Sequence, residues 1–154
     1  MILKIKKLRE DAVIPARGTQ GSAGFDLSAA IDGDIVIAPG EIAKIPTGIS
    51  AEIGSSGYAL LIYARSGLAT KFGIAPANCV GVVDSDYRGE IIVSLINHGS
   101  DAFTVTQGMR IAQMILTPVC IPELEVCGEL SDTQRGSGGF GSTGTDRIFG
   151  EASK

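Results

Sequence analysis

Short runs of isoleucine, valine and leucine, each cut off by glycine or proline, most restrict the fold of this chain. Leu3 and Ile5 alternate with Lys4 and Lys6, the two-residue period of a half-buried strand. Apolar runs follow at Ile31–Ile37, Glu41–Ile49, Tyr58–Tyr63, Val80–Val83, Glu90–Asn97, Phe103–Val105 and Arg110–Val119. Gly33, Pro39-Gly40, Pro46, Gly48 and the stretch Gly54–Gly57 separate the early ones. Turn signals recur every 8 to 12 residues, the rhythm of an all-β sandwich or barrel. Pro39, Pro46, Pro118 and Pro122 would break long helices. One short helix is expected at Ser66–Phe72, with Ser66 as N-cap and Gly73 as its stop. From Pro122 onward the strand pattern fades. The expectation is a β core over residues 1–121 and an extended arm over 122–154, with a glycine-rich segment at 135–144.

Composition narrows the function classes. With 154 residues the chain is one domain by length, enough to bury ~70% of its unfolded surface. Charged residues at 19% and hydrophobic ones at 44% exclude general disorder. A net charge of −4 argues against nucleic-acid binding, which needs a basic face. No run approaches ~18 apolar residues, and lysines interrupt the first apolar positions, so neither a membrane span nor a signal peptide is expected. A cytoplasmic protein is the resulting expectation. Cys79, Cys120 and Cys127 have no zinc-site spacing and read as reduced thiols. His98, the only histidine, sits in a turn composition, so no histidine-based triad can be built.

The glycine segment runs Arg135-Gly-Ser-Gly-Gly-Phe-Gly-Ser-Thr-Gly144. It is a near miss to a P-loop: Gly136 and Gly141 stand five apart and Thr143 falls at the hydroxyl position, but Ser142 replaces the lysine. One reading is a phosphate cradle of backbone amides and Arg135, with Phe140 stacking on a flat ring. The other is a disordered Gly/Ser tail.

Four further segments carry chemistry. In Gly81-Val-Val-Asp-Ser-Asp-Tyr-Arg-Gly89, read as a hairpin between two strands, Asp84 emerges at a strand end as a candidate general base toward water. Tyr87 offers a flat face for a sugar, and Asp86 and Gly89 read as ordinary turn residues. Ala64-Arg-Ser-Gly-Leu-Ala69 is either an anion site at a helix start or a capped surface helix. Gly108-Met-Arg-Ile-Ala-Gln113 presents Arg110 and Gln113 at a strand beginning, and Ala23-Gly-Phe-Asp-Leu-Ser-Ala-Ala30 presents Asp26. Together they suit a base-activated water attacking a polyphosphate held by arginines and Mg²⁺.

These five segments, in this order from residue 23 to 144, resemble the five motifs of the homotrimeric dUTPases (deoxyuridine triphosphate nucleotidohydrolases). The resemblance implies a jelly-roll-like distorted barrel and a homotrimer whose active sites are shared between subunits. It also implies hydrolysis of dUTP to dUMP and pyrophosphate by attack at the α-phosphorus, with Mg²⁺ on the triphosphate. By that resemblance Asp84 activates the water, Tyr87 packs under the deoxyribose and Asn78 reads uracil at the hairpin. Arg65, Ser66 and Gln113 contact phosphate, and Asp26 lies near the metal's water shell. In the arm, Arg135 meets phosphate, Phe140 covers the base, and Ser142 and Thr143 complete the grip. Gly67, Gly81, Val83, Arg110 and Gly141 are further substrate-binding positions. Phe25, Met109 and Gln134 depart from the usual motif residues. The same fold also serves dCTP deaminases, bifunctional deaminase/dUTPases and non-catalytic interaction proteins. An intact DSDY segment and the long glycine arm argue against a dCTP deaminase and a non-catalytic protein, while a product assay with dCTP separates the bifunctional reading.

Overall fold

A computed structural model of the protein describes residues 1–140. The chain divides into two units, Met1–Ile121 and a second beginning at Pro122. In the first, eleven strands and one helix follow one another as β1 (Leu3–Lys7), β2 (Phe25–Ser28), β3 (Ile35–Ile37), β4 (Ile42–Pro46), β5 (Ile49–Ile53), β6 (Tyr58–Tyr63), α1 (Ser66–Phe72), β7 (Ile74–Pro76), β8 (Gly81–Val83), β9 (Ile92–Asn97), β10 (Phe103–Val105) and β11 (Arg110–Pro118). All pairings are antiparallel. They make a four-stranded sheet in the order β2-β11-β6-β8, a three-stranded sheet β4-β9-β7, and the pairs β1-β5 and β10-β3. The arrangement is all-β and jelly-roll-like, and these sheets do not close into a barrel. Among the described residues no helix is long and apolar enough to cross a membrane.

One buried cluster joins the sheets. Leu27, Leu60, Ile111 and Met114 come from the four-stranded sheet, Ile45, Ile74 and Leu95 from the three-stranded one, and Ile37, Ile49 and Val105 from the two pairs. Along β9 the burial alternates, so Val93, Leu95 and Asn97 all point inward. Asn97 is the polar member of that row, and its amide is satisfied there. It donates to the carbonyls of Ile37 and Asp101, both at 2.8 Å, and accepts the Gly99 amide at 2.8 Å.

Several expectations change. The run Ile31–Ile37 is a strand only from Ile35. Ile31 is buried, but its amide is taken by Gln107 Oε1 at 2.7 Å, a side chain in place of a ladder partner. The run Glu41–Ile49 is two strands, β4 pairing with β9 and β5 with β1, because Gly48 turns the chain at φ 66°. The N-cap of α1 is Arg65, with no side-chain cap, and Ser66 is the first helical residue. Gly73 ends the helix at φ 70°. Strands β2 and β7 lie where no strand was expected. Finally, the segment from Gly81 to Gly89 is no hairpin. Strand β8 pairs with β6, while β9 pairs with β4 and β7, so the intervening loop carries the chain from one sheet to another. The same holds for the link through Asn78: β7 and β8 belong to different sheets.

Candidate functional site

Asp26 lies on β2, the edge strand of the four-stranded sheet, opposite Gln113 of β11. Its amide is fixed to the Ala16 carbonyl at 2.9 Å. The carboxylate accepts one guanidinium on each oxygen: Arg65 Nε at 2.9 Å on Oδ1 and Arg110 Nη1 at 3.0 Å on Oδ2. Two cations that would repel are thereby held side by side, leaving one net positive charge. The Arg65–Asp26 pair is largely withdrawn from solvent, with side chains 27% and 21% exposed, whereas Arg110 is 58% exposed.

A register irregularity in β11 makes this grouping possible. Arg110 and Gln113 are three apart, so strict alternation would send them to opposite faces. Between Arg110 and Ala112 the pairing slips by one residue, leaving Arg110 opposite Ser28 and Gln113 opposite Asp26. Ser28 and Asp26 are two apart on β2, so both β11 residues share Asp26's face. The extra residue, Ile111, is buried. Gln113 donates to the Ala64 carbonyl at 2.9 Å, steadying the backbone just before Arg65. Gly24 lets that amide lie flat, since a Cβ there would sit 2.9 Å from Gln113 Oε1.

Asp26, Arg65, Ser66, Gly67, Arg110 and Gln113 line one polar cavity of about 260 Å³, together with Gly18, Ser22 and Gly24. A second cavity, of about 360 Å³, lies beside β6 and β9 and is lined by Asn78, Gly81, Ile62 and Ile92 among others. Asn78 is exposed in a tight turn in which the Cys79 amide bonds the Pro76 carbonyl at 3.0 Å and Cys79 takes φ 62°. The Gly81 backbone lies against Ile62, whose Cβ would be 3.1 Å from an added Cβ.

Asp84 and Tyr87 follow β8 and line neither cavity. Val83 is buried, and Asp84 is exposed. The Tyr87 amide bonds the Asp84 carbonyl at 3.2 Å, and its hydroxyl donates to the Glu90 carbonyl at 3.0 Å. In the second unit Arg135 is exposed and turns back on its own loop, Nε donating to the Gly138 carbonyl at 2.9 Å. Phe140 is fully exposed with φ 48°. Gly141, Ser142 and Thr143 lie outside the described residues.

A family model described as dUTPase matches residues 10–144. The chain belongs to the dUTPase family. It is 53% identical over 144 residues to the deoxyuridine 5'-triphosphate nucleotidohydrolase of Nautilia profundicola, an alignment covering 94% of this chain and 99% of that one. To the enzyme of the same name from Desulfitobacterium hafniense it is 51% identical over 144 residues, covering 92% and 95%. Among solved structures, the Staphylococcus bacteriophage 80alpha dUTPase with dUPNHPP superposes with a TM-score of 0.84 at 27% identity, covering 93% of this chain and 98% of that one.

Within this dUTPase-family chain, the motif segments around Asp26, Arg65 and Arg110 meet at one cavity, while those around Asn78 and Asp84 lie elsewhere in the first unit. Gly18 and Ser22 escaped the sequence reading, and Gly24 entered it only as part of the segment that carries Asp26. They sit in a polar Gly/Ser/Thr stretch whose only signal is small size. All three cysteines are free and exposed, and His98 is exposed. Among the described residues, no three His, Cys, Asp or Glu side chains gather as a metal cage.

Proposed function

We propose that this chain hydrolyses dUTP to dUMP and pyrophosphate by attack of water at the α-phosphorus. The reading rests on Asp26, which fixes Arg65 and Arg110 together on the wall of a polar cavity. Paired guanidiniums match phosphate oxygens geometrically. Phosphoryl transfer gains most from such positioning and charge stabilisation. In this reading Asp84 accepts the proton of the water as its oxygen bonds to phosphorus and pyrophosphate departs. Tyr87 packs under the deoxyribose, where a 2′-hydroxyl would clash. Asn78 reads uracil, Ser66 and Gln113 add phosphate contacts, and Gly67, Gly81 and Val83 are further substrate-binding positions. Arg135, Phe140, Gly141, Ser142 and Thr143 belong to the arm that closes over the nucleotide.

Mg²⁺ fits this donor set as a substrate-borne ion. It keeps several waters and binds substrate phosphates, so no protein cage is required. Asp26 engages one arginine per carboxylate oxygen, which leaves lone pairs for contact through water. When bound, the ion supplies neutralisation of triphosphate charge.

A homotrimer with composite sites is part of the proposal. One chain carries the arginine cavity and the Asn78 cavity as two distinct surfaces, with Asp84 and Tyr87 lining neither. A second copy is what would complete each part-site. Val36, Ile42 and Val82, 60%, 60% and 61% exposed, are apolar surface suited to burial between copies.

Product analysis with dUTP, dCTP, dTTP and UTP, in Mg²⁺ and in EDTA, tests the proposal. The expected result is dUMP and pyrophosphate from dUTP, suppressed by EDTA. Deaminated dCTP, or no product from dUTP, overturns the reaction. A monomer in sedimentation overturns the shared site.

A further inference from the structure

We infer that Gly89 is a positioning residue for sugar selection, present because the ring of Tyr87 lies across it. The inference rests on the reading of Tyr87 as the residue that excludes a 2′-hydroxyl.

Gly89 does not need glycine's conformational freedom, since its φ is not in the left-handed region. What it lacks is a Cβ. One built there would lie 2.5 Å from Tyr87 Cζ and 3.0 Å from Cε2, and closer still to the hydroxyl oxygen. Comfortable carbon separations are ~3.5–4.0 Å, so the ring would have to move by about 1 Å. Two hydrogen bonds hold the residue over that patch. Its hydroxyl is tied to the Glu90 carbonyl at 3.0 Å and its amide to the Asp84 carbonyl at 3.2 Å.

The anchor is itself rigid. The Glu90 carboxylate accepts the Gly48 amide at 2.7 Å. The next residue, Ile91, donates to the Ile49 carbonyl at 2.9 Å and accepts the buried Thr47 hydroxyl at 2.5 Å. Tyr87 is thus clamped between a pinned strand entry and a bare patch of backbone. Yet it is 46% exposed, so displacing its ring disturbs no core packing. Two consequences separate here: a Cβ at 89 moves the ring, and the fold tolerates the move. A 1 Å misplacement of a substrate-positioning group costs on the order of 10²-fold in rate.

The test compares the parent with Gly89→Ala, Tyr87→Ala and the double variant, reading kcat/KM for dUTP and for UTP. Tyrosine-ring NMR and thermal melting accompany the kinetics. Gly89→Ala is expected to lower the dUTP/UTP ratio ~10–100-fold. It should shift the ring signals of Tyr87 while those of Tyr58 and Tyr63 stay in place, with little change in melting temperature. In the Tyr87→Ala background it should change the ratio no further, the non-additivity of two residues acting through one ring. If Tyr87→Ala shifts the ratio but Gly89→Ala leaves it within about twofold of the parent, this inference fails and the reading of Tyr87 stands. If Tyr87→Ala leaves the ratio unchanged, the reading of Tyr87 fails and this inference with it. Additive effects in the double variant, a still Tyr87 ring, or unfolding by Gly89→Ala each overturn the positioning role.

Discussion

Replacing Asp26 by asparagine tests the arginine cluster most directly. The amide keeps one oxygen and turns an NH₂ group toward the other guanidinium, so only one of the bonds at 2.9 and 3.0 Å survives. A hydrogen bond to a charged group contributes about 1.5–3 kcal/mol where it is partly sheltered. The Arg65 bond qualifies, with its partners 27% and 21% exposed. The Arg110 bond, on a side chain 58% exposed, is worth below about 1 kcal/mol. Because one bond survives, the loss runs from below about 1 kcal/mol, if the Arg110 bond goes, to about 1.5–3 kcal/mol, if the Arg65 bond goes, and the latter lowers the melting temperature of a chain of this size by about 3–12 °C. Binding feels two opposed effects. Removing a carboxylate raises the site's positive charge, worth about 1 kcal/mol toward an anion at 4 Å in water and less with salt. Against it stands the loss of fixed guanidinium geometry, worth on the order of 10²-fold in rate. The second is larger, so kcat/KM for dUTP should fall ~10–100-fold and decline more steeply with salt than in the parent. Thermal melting and initial-rate kinetics from low to physiological salt measure both. Unchanged melting with kcat/KM within about twofold of the parent would show that Asp26 neither holds nor aims the arginines.

Asp84→Asn should fold normally and lose about 10²–10⁴ in turnover, because the amide cannot accept the water's proton; nearly unchanged single-turnover rates exclude that role. Gly48→Ala should be severely destabilising, since the residue has φ 66° and an added Cβ would lie 2.7 Å from Ala12 Cβ; denaturant melts measure the loss. Asp11 hydrogen-bonds the Arg9 guanidinium, which holds its carboxyl below the ordinary aspartate value. Its contribution to stability is therefore present above that ordinary value, ~3.9, and is lost as pH falls through the lower folded value. The melting gap between parent and Asp11→Asn should accordingly close in strong acid; a gap constant with pH refutes the linkage.

The fold was legible wherever local chemistry and pairing agree. Tyr58–Tyr63 and Phe103–Val105 are strands, and Ser66–Phe72 a helix, with the bounds their patterns implied. Phe25–Ser28 was illegible because four residues, half of them polar, carry too little periodicity. Ile74–Pro76 ends in a proline that argues against a strand, but β7 is an edge strand, where a missing amide is tolerated. The supposed hairpin at Gly81–Gly89 failed for a different reason. Sequence neighbours can be assigned to strands without revealing which sheet each joins. Arg65, Arg110 and Asp26 were each identifiable as chemical candidates, but their bidentate meeting depends on a slip in β11 that no residue type announces.

That slip is a spacer whose removal would straighten the strand. Residues before Ile111 are phased by Ser28 of β2, and those after it also by Tyr63 of β6. The segment from Arg110 to Gln113 therefore joins two frames of reference, and Ile111 is the spacer between them. Substitutions inside it fall on Ile111 and Ala112, both buried, and so act first on packing. Deleting the extra residue, Ile111, would instead remove the slip and leave Arg110 and Gln113 two apart, on one face by plain alternation, at the cost of a buried side chain. An added residue would leave two unpaired residues between Arg110 and Ala112 in place of one. Redesigns of this strand must therefore keep its interior apolar, whereas shortening it by Ile111 would leave both polar side chains on Asp26's face.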